Sequence, residues 1–305
     1  MTRLQIFTVD AFSSRPFSGN PAAVIPLTEP LDEGTMQKVA SEMNLSETAF
    51  VRPLGGDGGD SPFASSGRFS LRWFTPVKEI PLCGHATLAT AHVLFQHLGN
   101  KRSQVEFETL SGVLVTRRGE GDGEEEEEGG GITIVMDFPS NPPMALSPAQ
   151  GRQLQPLVQA VTGDLKVHQV LISHSLKYLL VRLNHSYSRE DLEALQPDYS
   201  KMGRVHDGSL VMAVIVCVAG GDAEDPRYHV FSRFFAPLYG VDEDPVTGSA
   251  HTVLGPYWAL QLDRRELTFR QCSKRGGDVK VTVRDDSRVD IMGTGATVLQ
   301  GYITV

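Results

Sequence analysis

Part of this sequence occurs twice, and that repetition constrains the fold more than any other feature. Leu71-Arg-Trp-Phe-Thr-Pro76 reappears as Phe231-Ser-Arg-Phe-Phe-Ala-Pro237, which sets Arg233 against Arg72. Gly248-Ser249-Ala250 then repeats Gly84-His85-Ala86. The two offsets, 161 and 164, differ by a three-residue insertion. In each copy a strand and a Pro turn lead into a Gly that opens an apolar helix. The pattern predicts a pseudo-duplicated α+β protein with two similar domains. A length of 305 residues agrees with two domains.

Other patterns fill in the elements. Leu4, Ile6 and Thr8 alternate with Gln5 and Phe7, and Pro21 to Leu27 is an apolar run. Met36, Val39, Ala40 and Met43 share one helix face. Thr48 to Val51 and Phe69 to Trp73 read as strands, with a Gly, Ser and Asp loop at Gly55 to Gly67 between them. Ala86 to Leu98 is apolar nearly all round, as a helix buried on most sides would be. In the second copy Gly255-Pro256 falls inside the helix pattern. Pro removes a helical hydrogen bond, so a kink or early break is expected there. The expected domains are 1–118 and 132–305, with the last strand able to return to the first.

Between them, Gly119 to Gly131 reads GEGDGEEEEEGGG. It holds seven of the acids behind the net charge of −9, so the remainder is nearly neutral. The segment reads as a solvated loop, and docking to a basic partner is the other reading. Five consecutive Glu would repel phosphate. No basic footprint for nucleic acid exists. The longest apolar run, Leu210 to Ala219, is about half of a membrane span. The start alternates like a strand and lacks a signal-peptide core. Three cysteines make no disulfide framework. A cytoplasmic, soluble protein is expected.

The familiar catalytic motifs are missing. The sequence has no H-E-x-x-H, paired C-x-x-C, G-x-S-x-G, P-loop or dinucleotide fingerprint. His85 and His92 lie seven apart on one helix, with no third metal ligand in the pattern. Neither metal nor cofactor is expected. What remains are the two helix starts, Cys83-Gly84-His85-Ala86-Thr87 and Asp244-Pro245-Val246-Thr247-Gly248-Ser249. A helix start offers unpaired N–H groups and partial positive charge, suited to a carboxylate or a developing enolate. Simple capping by Thr247 or Ser249 is the competing reading.

The stretches FSGNPAAV (Phe17 to Val24), EMNLSETAF (Glu42 to Phe50), LRWFTP, EIPLCGHATLATA (Glu79 to Ala91) and EDPVTGSAH (Glu243 to His251) resemble the phenazine-biosynthesis PhzF-like family, and its animal members most closely. The resemblance covers essentially the whole chain. It implies the diaminopimelate-epimerase-like fold: two similar domains, each a sheet curled around a central helix, with the site between them. It implies a cofactor-free isomerase. Its catalytic carboxylate falls on Glu47, and its His and Asp fall on His85 and Asp244. Ser249 and the N–H groups near Gly84 and Gly248 would hold a substrate carboxylate. In a partly desolvated cleft the Glu47 pKa is expected to rise towards neutrality.

The related two-cysteine epimerases place one thiol at each helix start. Here Cys83 takes the first position, but Pro245 replaces the second. A two-thiol racemase is therefore excluded. Burial is the expected fate of Cys83, with activation by the helix end as the alternative. Cys217 reads as core, and Cys272 has no assigned role. The resemblance also points to a homodimer and to a WD-repeat protein of the MAWD type as partner. The function expected is proton transfer between carbons of a small carboxylate-bearing molecule. The alternative is a small-molecule-binding or protein-interaction protein that kept the fold. A hydrolase using Ser249 and His251 is disfavoured, because i and i+2 point to different helix faces.

Overall fold

A computed structural model of the chain describes residues 2–55, 62–119, 131–221 and 226–305. Most of the acidic segment therefore lies outside the described residues. The chain divides into two compact units, Met1–Asp137 with Met292–Val305, and Phe138–Ile291.

In the first unit, β1 (Arg3–Ala11) forms an antiparallel pair with β2 (Asn20–Pro26). Helix α1 (Glu33–Met43) carries the chain to β3 (Glu47–Pro53), which runs parallel to β2. The helical turn α2 (Pro62–Ser65) stands in the stretch expected to be all loop. Its Ser66 N–H bonds the Pro62 carbonyl, and Phe63 buries against Phe69. Next comes β4 (Arg68–Phe74), antiparallel to β3, and a two-residue return strand, β5 (Glu79–Ile80). Helix α3 (Gly84–Gln96) follows, then β6 (Gln104–Thr109) parallel to β4, β7 (Gly112–Arg118) and β8 (Ile134–Pro139).

The second unit opens with β9 (Met144–Ala145) and α4 (Pro148–Thr162). It then repeats the plan. The strands β10 (Val167–Ser173) and β11 (Tyr178–Leu183) are an antiparallel pair. Helices α5 (Arg189–Ala194) and α6 (Tyr199–Val205) lead to β12 (Ala213–Ala219), parallel to β11. Then β13 (Val230–Ala236) pairs antiparallel with β12 and with the short β14 (Val241–Glu243). Helix α7 (Gly248–Leu262), β15 (Glu266–Gln271) parallel to β13, β16 (Gly277–Val283) and β17 (Arg288–Gly293) complete it. The final strand, β18 (Gly295–Thr304), runs antiparallel to β1 in the first unit.

The repeat extends to side chains. Arg72 grips Glu79 through two hydrogen bonds of 2.6 and 2.7 Å. Arg233 grips Glu243 in the same way at 2.7 and 2.8 Å. Each pair ties a long strand to the short return strand before the central helix, and so fixes where that helix begins. Arg233 also donates from Nη1 to the carbonyls of Leu192 and Leu195 at the end of α5, which satisfies that nitrogen in a buried place.

Every residue of α3 from His85 to Phe95 is buried, against β1, β2 and β3. Helix α1 covers the opposite face through Met36, Val39 and Ala40, which pack with Ile25 and Phe50. With both faces covered, β2 has no need of polar alternation, and PAAVIP is apolar throughout.

Helix α7 does not break at Gly255-Pro256; it runs unbroken to Leu262. Two contacts explain why. Pro256 cannot donate to the carbonyl of Thr252, but the Asn141 N–H does so at 3.0 Å. Gly255 lets the helix lie close on β16, where a Cβ would meet Val281 Cγ1 at 2.7 Å.

Candidate active site

Glu47 is the first residue of β3. Strand alternation puts Phe50 in the cluster facing α1, and so turns Glu47, Ala49 and Val51 to the α3 face. There Glu47 Oε2 lies 3.0 Å from His85 Nε2, with the two side chains only 14% and 7% exposed. Ser46 Oγ is 3.3 Å from the same nitrogen. On the other side of the ring, Nδ1 lies 3.2 Å from the Asn20 amide and 3.5 Å from Cys83 Sγ. By a half-turn the Asn20 amide can present its oxygen to a protonated ring. Cys83 is the N-cap of α3 and makes no side-chain cap bond.

The electrostatics reverse one expectation. Burial alone would raise the Glu47 pKa, but the His85 charge and hydrogen bonds from His85, Ser46 and Cys83 outweigh it and hold it below the usual value. Burial opposes charge on His85 too, yet Cys83 and Glu47 raise its pKa well above the ordinary value. Burial and the nearby Glu47 charge push the Cys83 thiol up, past the opposing His85 charge. Cys83 therefore stays a thiol at neutral pH and supports the His85 charge by accepting from Nδ1, while the anion beside the ring is Glu47. The resting state is a carboxylate beside an imidazolium.

The second unit has the equivalent helix start with different chemistry. Its N-cap is Thr247, again without a side-chain cap bond, so simple capping does not account for this residue. Thr247 is also the structural counterpart of Cys83; Pro245 instead matches Pro81, two residues earlier in each loop. The exclusion of a thiol pair stands, with a hydroxyl in the second place. Thr247 Oγ1 donates to Asp244 Oδ2. Gln271 braces the loop, accepting from the Thr247 N–H at 2.9 Å and donating to the Asp244 carbonyl at 2.8 Å. Ser249, in the place of His85, bonds Tyr178 Oη at 3.1 Å. Burial pushes the Tyr178 hydroxyl up to about 12, so it is a neutral donor and acceptor.

Asn20 and Tyr178 were not assigned roles from sequence. Each is the first residue of an equivalent strand, β2 or β11, and each touches the second residue of the equivalent helix. Topology alone reveals that role. His251 is fully buried, and its Nδ1 bonds the Thr247 carbonyl at 2.8 Å. That bond commits Nδ1 to the backbone, while Ser249 bonds Tyr178 instead, which removes support for a Ser–His hydrolase. Thr87 does the same work in α3, bonding the Cys83 carbonyl at 2.6 Å. Cys217 is core, and Cys272 is buried.

A family model for phenazine biosynthesis-like proteins matches residues 9–301. The chain belongs to the phenazine biosynthesis-like family. It is 46% identical over 303 residues to mouse phenazine biosynthesis-like domain-containing protein 1, covering 99% of each chain. It is 41% identical to a Pseudomonas aeruginosa protein named an uncharacterized isomerase, covering 99% of this chain and 98% of that one. Among solved structures, a phenazine biosynthesis protein of the PhzF family from Enterococcus faecalis matches with a TM-score of 0.81, 34% identity and full coverage of both chains. A probable proline racemase from Agrobacterium radiobacter shares the fold, at a TM-score of 0.58, 12% identity and coverage of 99% and 93%. The fold is the α+β, epimerase-like one, and membership of this phenazine biosynthesis-like family supports an isomerase-type function. No helix among the described residues is long and apolar enough to cross a membrane.

Proposed function

We propose that the protein is an isomerase that moves a proton between two carbons of a small carboxylate-bearing molecule, with Glu47 carrying the proton. The observation that supports this most is the buried Glu47–His85 pair at the start of α3. A depressed pKa keeps Glu47 ionised at neutral pH, ready to accept a proton. The C–H bond breaks, its electron pair enters the substrate's conjugated system, and the proton passes to Glu47. A protonated Glu47 has lost its attraction to His85, which makes it a strong acid that returns the proton to a second carbon. The sequence of steps is redox-neutral and transfers no group, so it calls for no cofactor.

Asp244, His85 and Ser249 orient the substrate and its charge. The N–H groups at Gly84 and Gly248 add positive potential for a carboxylate. In this proposal both helix starts act on one ligand, as the resemblance to the family implies.

A thermal-shift screen of small conjugated carboxylates, followed by turnover assays on the hits, tests the reading. A ligand converted by the native chain supports it. A physiological ligand bound tightly, yet neither converted nor exchanged, would instead make this a binding protein that kept an isomerase fold.

A further inference from the structure

The side chains around Glu47 form a set that proton transfer alone does not require. One ligand atom each from Glu47, Cys83 and His85 lies within 4.8 Å of the other two. Cys83 and His85 are buried, and Glu47 is nearly so. Glu47 Oε2 is itself buried and lies 3.0 Å from His85 Nε2. It is a buried anionic oxygen beside a thiol and an imidazole.

We propose that Glu47, Cys83 and His85 form a binding site for a thiophilic divalent cation such as Zn2+, and that its occupancy blocks the proton-carrying carboxylate. One oxygen, one sulfur and one nitrogen are the donors zinc takes in proteins, and three protein ligands leave a position open. Mg2+ and Ca2+, which require oxygen ligands, are excluded by the same set. On binding, the thiol and imidazolium protons leave to solvent, and the thiolate and carboxylate then balance the metal's two charges.

The duplication supplies an internal control. At the matching start of α7 the sulfur and nitrogen donors are replaced by the hydroxyls of Thr247 and Ser249. The α3 start is the one such three-residue group found among the described residues. Metal binding stands independently of the isomerase reading; only the blocking of turnover rests on it.

The test is a titration of the full chain with Co2+, followed by displacement with Zn2+. The native protein should develop thiolate-to-cobalt charge-transfer absorption in the near ultraviolet, with one equivalent bound, and Zn2+ should abolish it. Cys83→Ser should remove the band while keeping the native circular dichroism. Cys272→Ser should leave it unchanged. Glu47→Gln should weaken Co2+ binding by at least tenfold. A band that survives in Cys83→Ser, or no band in native protein at millimolar Co2+, would overturn the site. If the metal binds but turnover on a known substrate is unaffected, the blocking role falls and the site remains. If no carboxylate is ever turned over, the isomerase reading fails and the titration still decides the metal site.

Discussion

Tyr178 Oη stands 3.1 Å from Ser249 Oγ, and this contact repeats, in the second unit, the contact of Asn20 with His85 in the first. The first residue of a strand thus braces the second residue of the central helix in both copies. In one copy the braced group is an imidazole that carries charge; in the other it is a neutral hydroxyl.

Removing the brace should loosen Ser249 without unfolding the protein. Tyr178→Phe keeps the ring against Phe234 and deletes only the hydroxyl. Stability should fall by about 0.5–1.5 kcal/mol, the net worth of one hydrogen bond. Affinity for a carboxylate ligand should fall several-fold, measured by calorimetry on the first confirmed ligand. Unchanged affinity would remove Tyr178 from the site.

The Glu47–His85 pair sets a pH dependence with a definite sign. His85 has a raised pKa, so its contribution is complete below the ordinary 6.5 and is lost as pH rises through the folded value. Glu47 has a lowered pKa, so its contribution is complete above 4.5 and is lost as pH falls through the folded value. The stability gap between native protein and His85→Gln should therefore be widest between these two values and shrink above 6.5. In Glu47→Gln, burial is left to dominate, and the His85 titration followed by nitrogen NMR should move down. A His85 pKa that stays high would show that another anion holds its proton.

Gly255→Ala should destabilise. Ala favours a helix by about 1 kcal/mol over Gly. Here the new Cβ would come within 2.7 Å of Val281 Cγ1, and Val281 is wholly buried. Overpacking of that kind costs about 1–3 kcal/mol, so the clash wins. Urea denaturation decides the sign, and a stabilised variant would contradict the close approach of α7 to β16.

Much of this architecture was legible because local chemistry was repeated with it. The Arg–Glu clamps, the Pro turns and the Gly-opened helices recur at nearly constant offsets, and a repeated sequence plan became a repeated pairing plan. The helix starts that carry His85 and Ser249 stood out as Gly-opened anion sites, whereas Glu47 stood out only through a family motif. What stayed hidden depended on distant partners. Asn141 supplies the donor that Pro256 lacks from 111 residues away along the chain. Tyr178 looks like any strand tyrosine until topology brings it to Ser249. The direction of the Glu47 pKa shift could not be read because sequence suggests burial but does not give the 3.0 Å to His85.

The acidic segment can be shortened on a simple geometric ground. Its flanks are neighbours in an antiparallel pair, with Arg118 opposite Ile134 and the Gly119 N–H bonded to the Thr133 carbonyl at 2.8 Å. A two-residue hairpin turn can join Gly119 to Thr133 in place of residues 120–132. Stability should change by less than about 1 kcal/mol, since surface changes usually stay near ±0.5. A loss above about 2 kcal/mol would show that the segment supports the fold.

The most direct test of Glu47 as the proton carrier is a paired measurement on one substrate in heavy water. Native protein should form product carrying deuterium at the reprotonated carbon whenever Glu47 exchanges with solvent between steps. Glu47→Gln keeps the size of the side chain but cannot carry the proton, so turnover should fall by roughly 10² to 10⁴. Affinity should change far less, because the proposed mechanism assigns the carboxylate to Gly84, Gly248 and Ser249 and not to Glu47. Normal turnover in Glu47→Gln would contradict the mechanism outright.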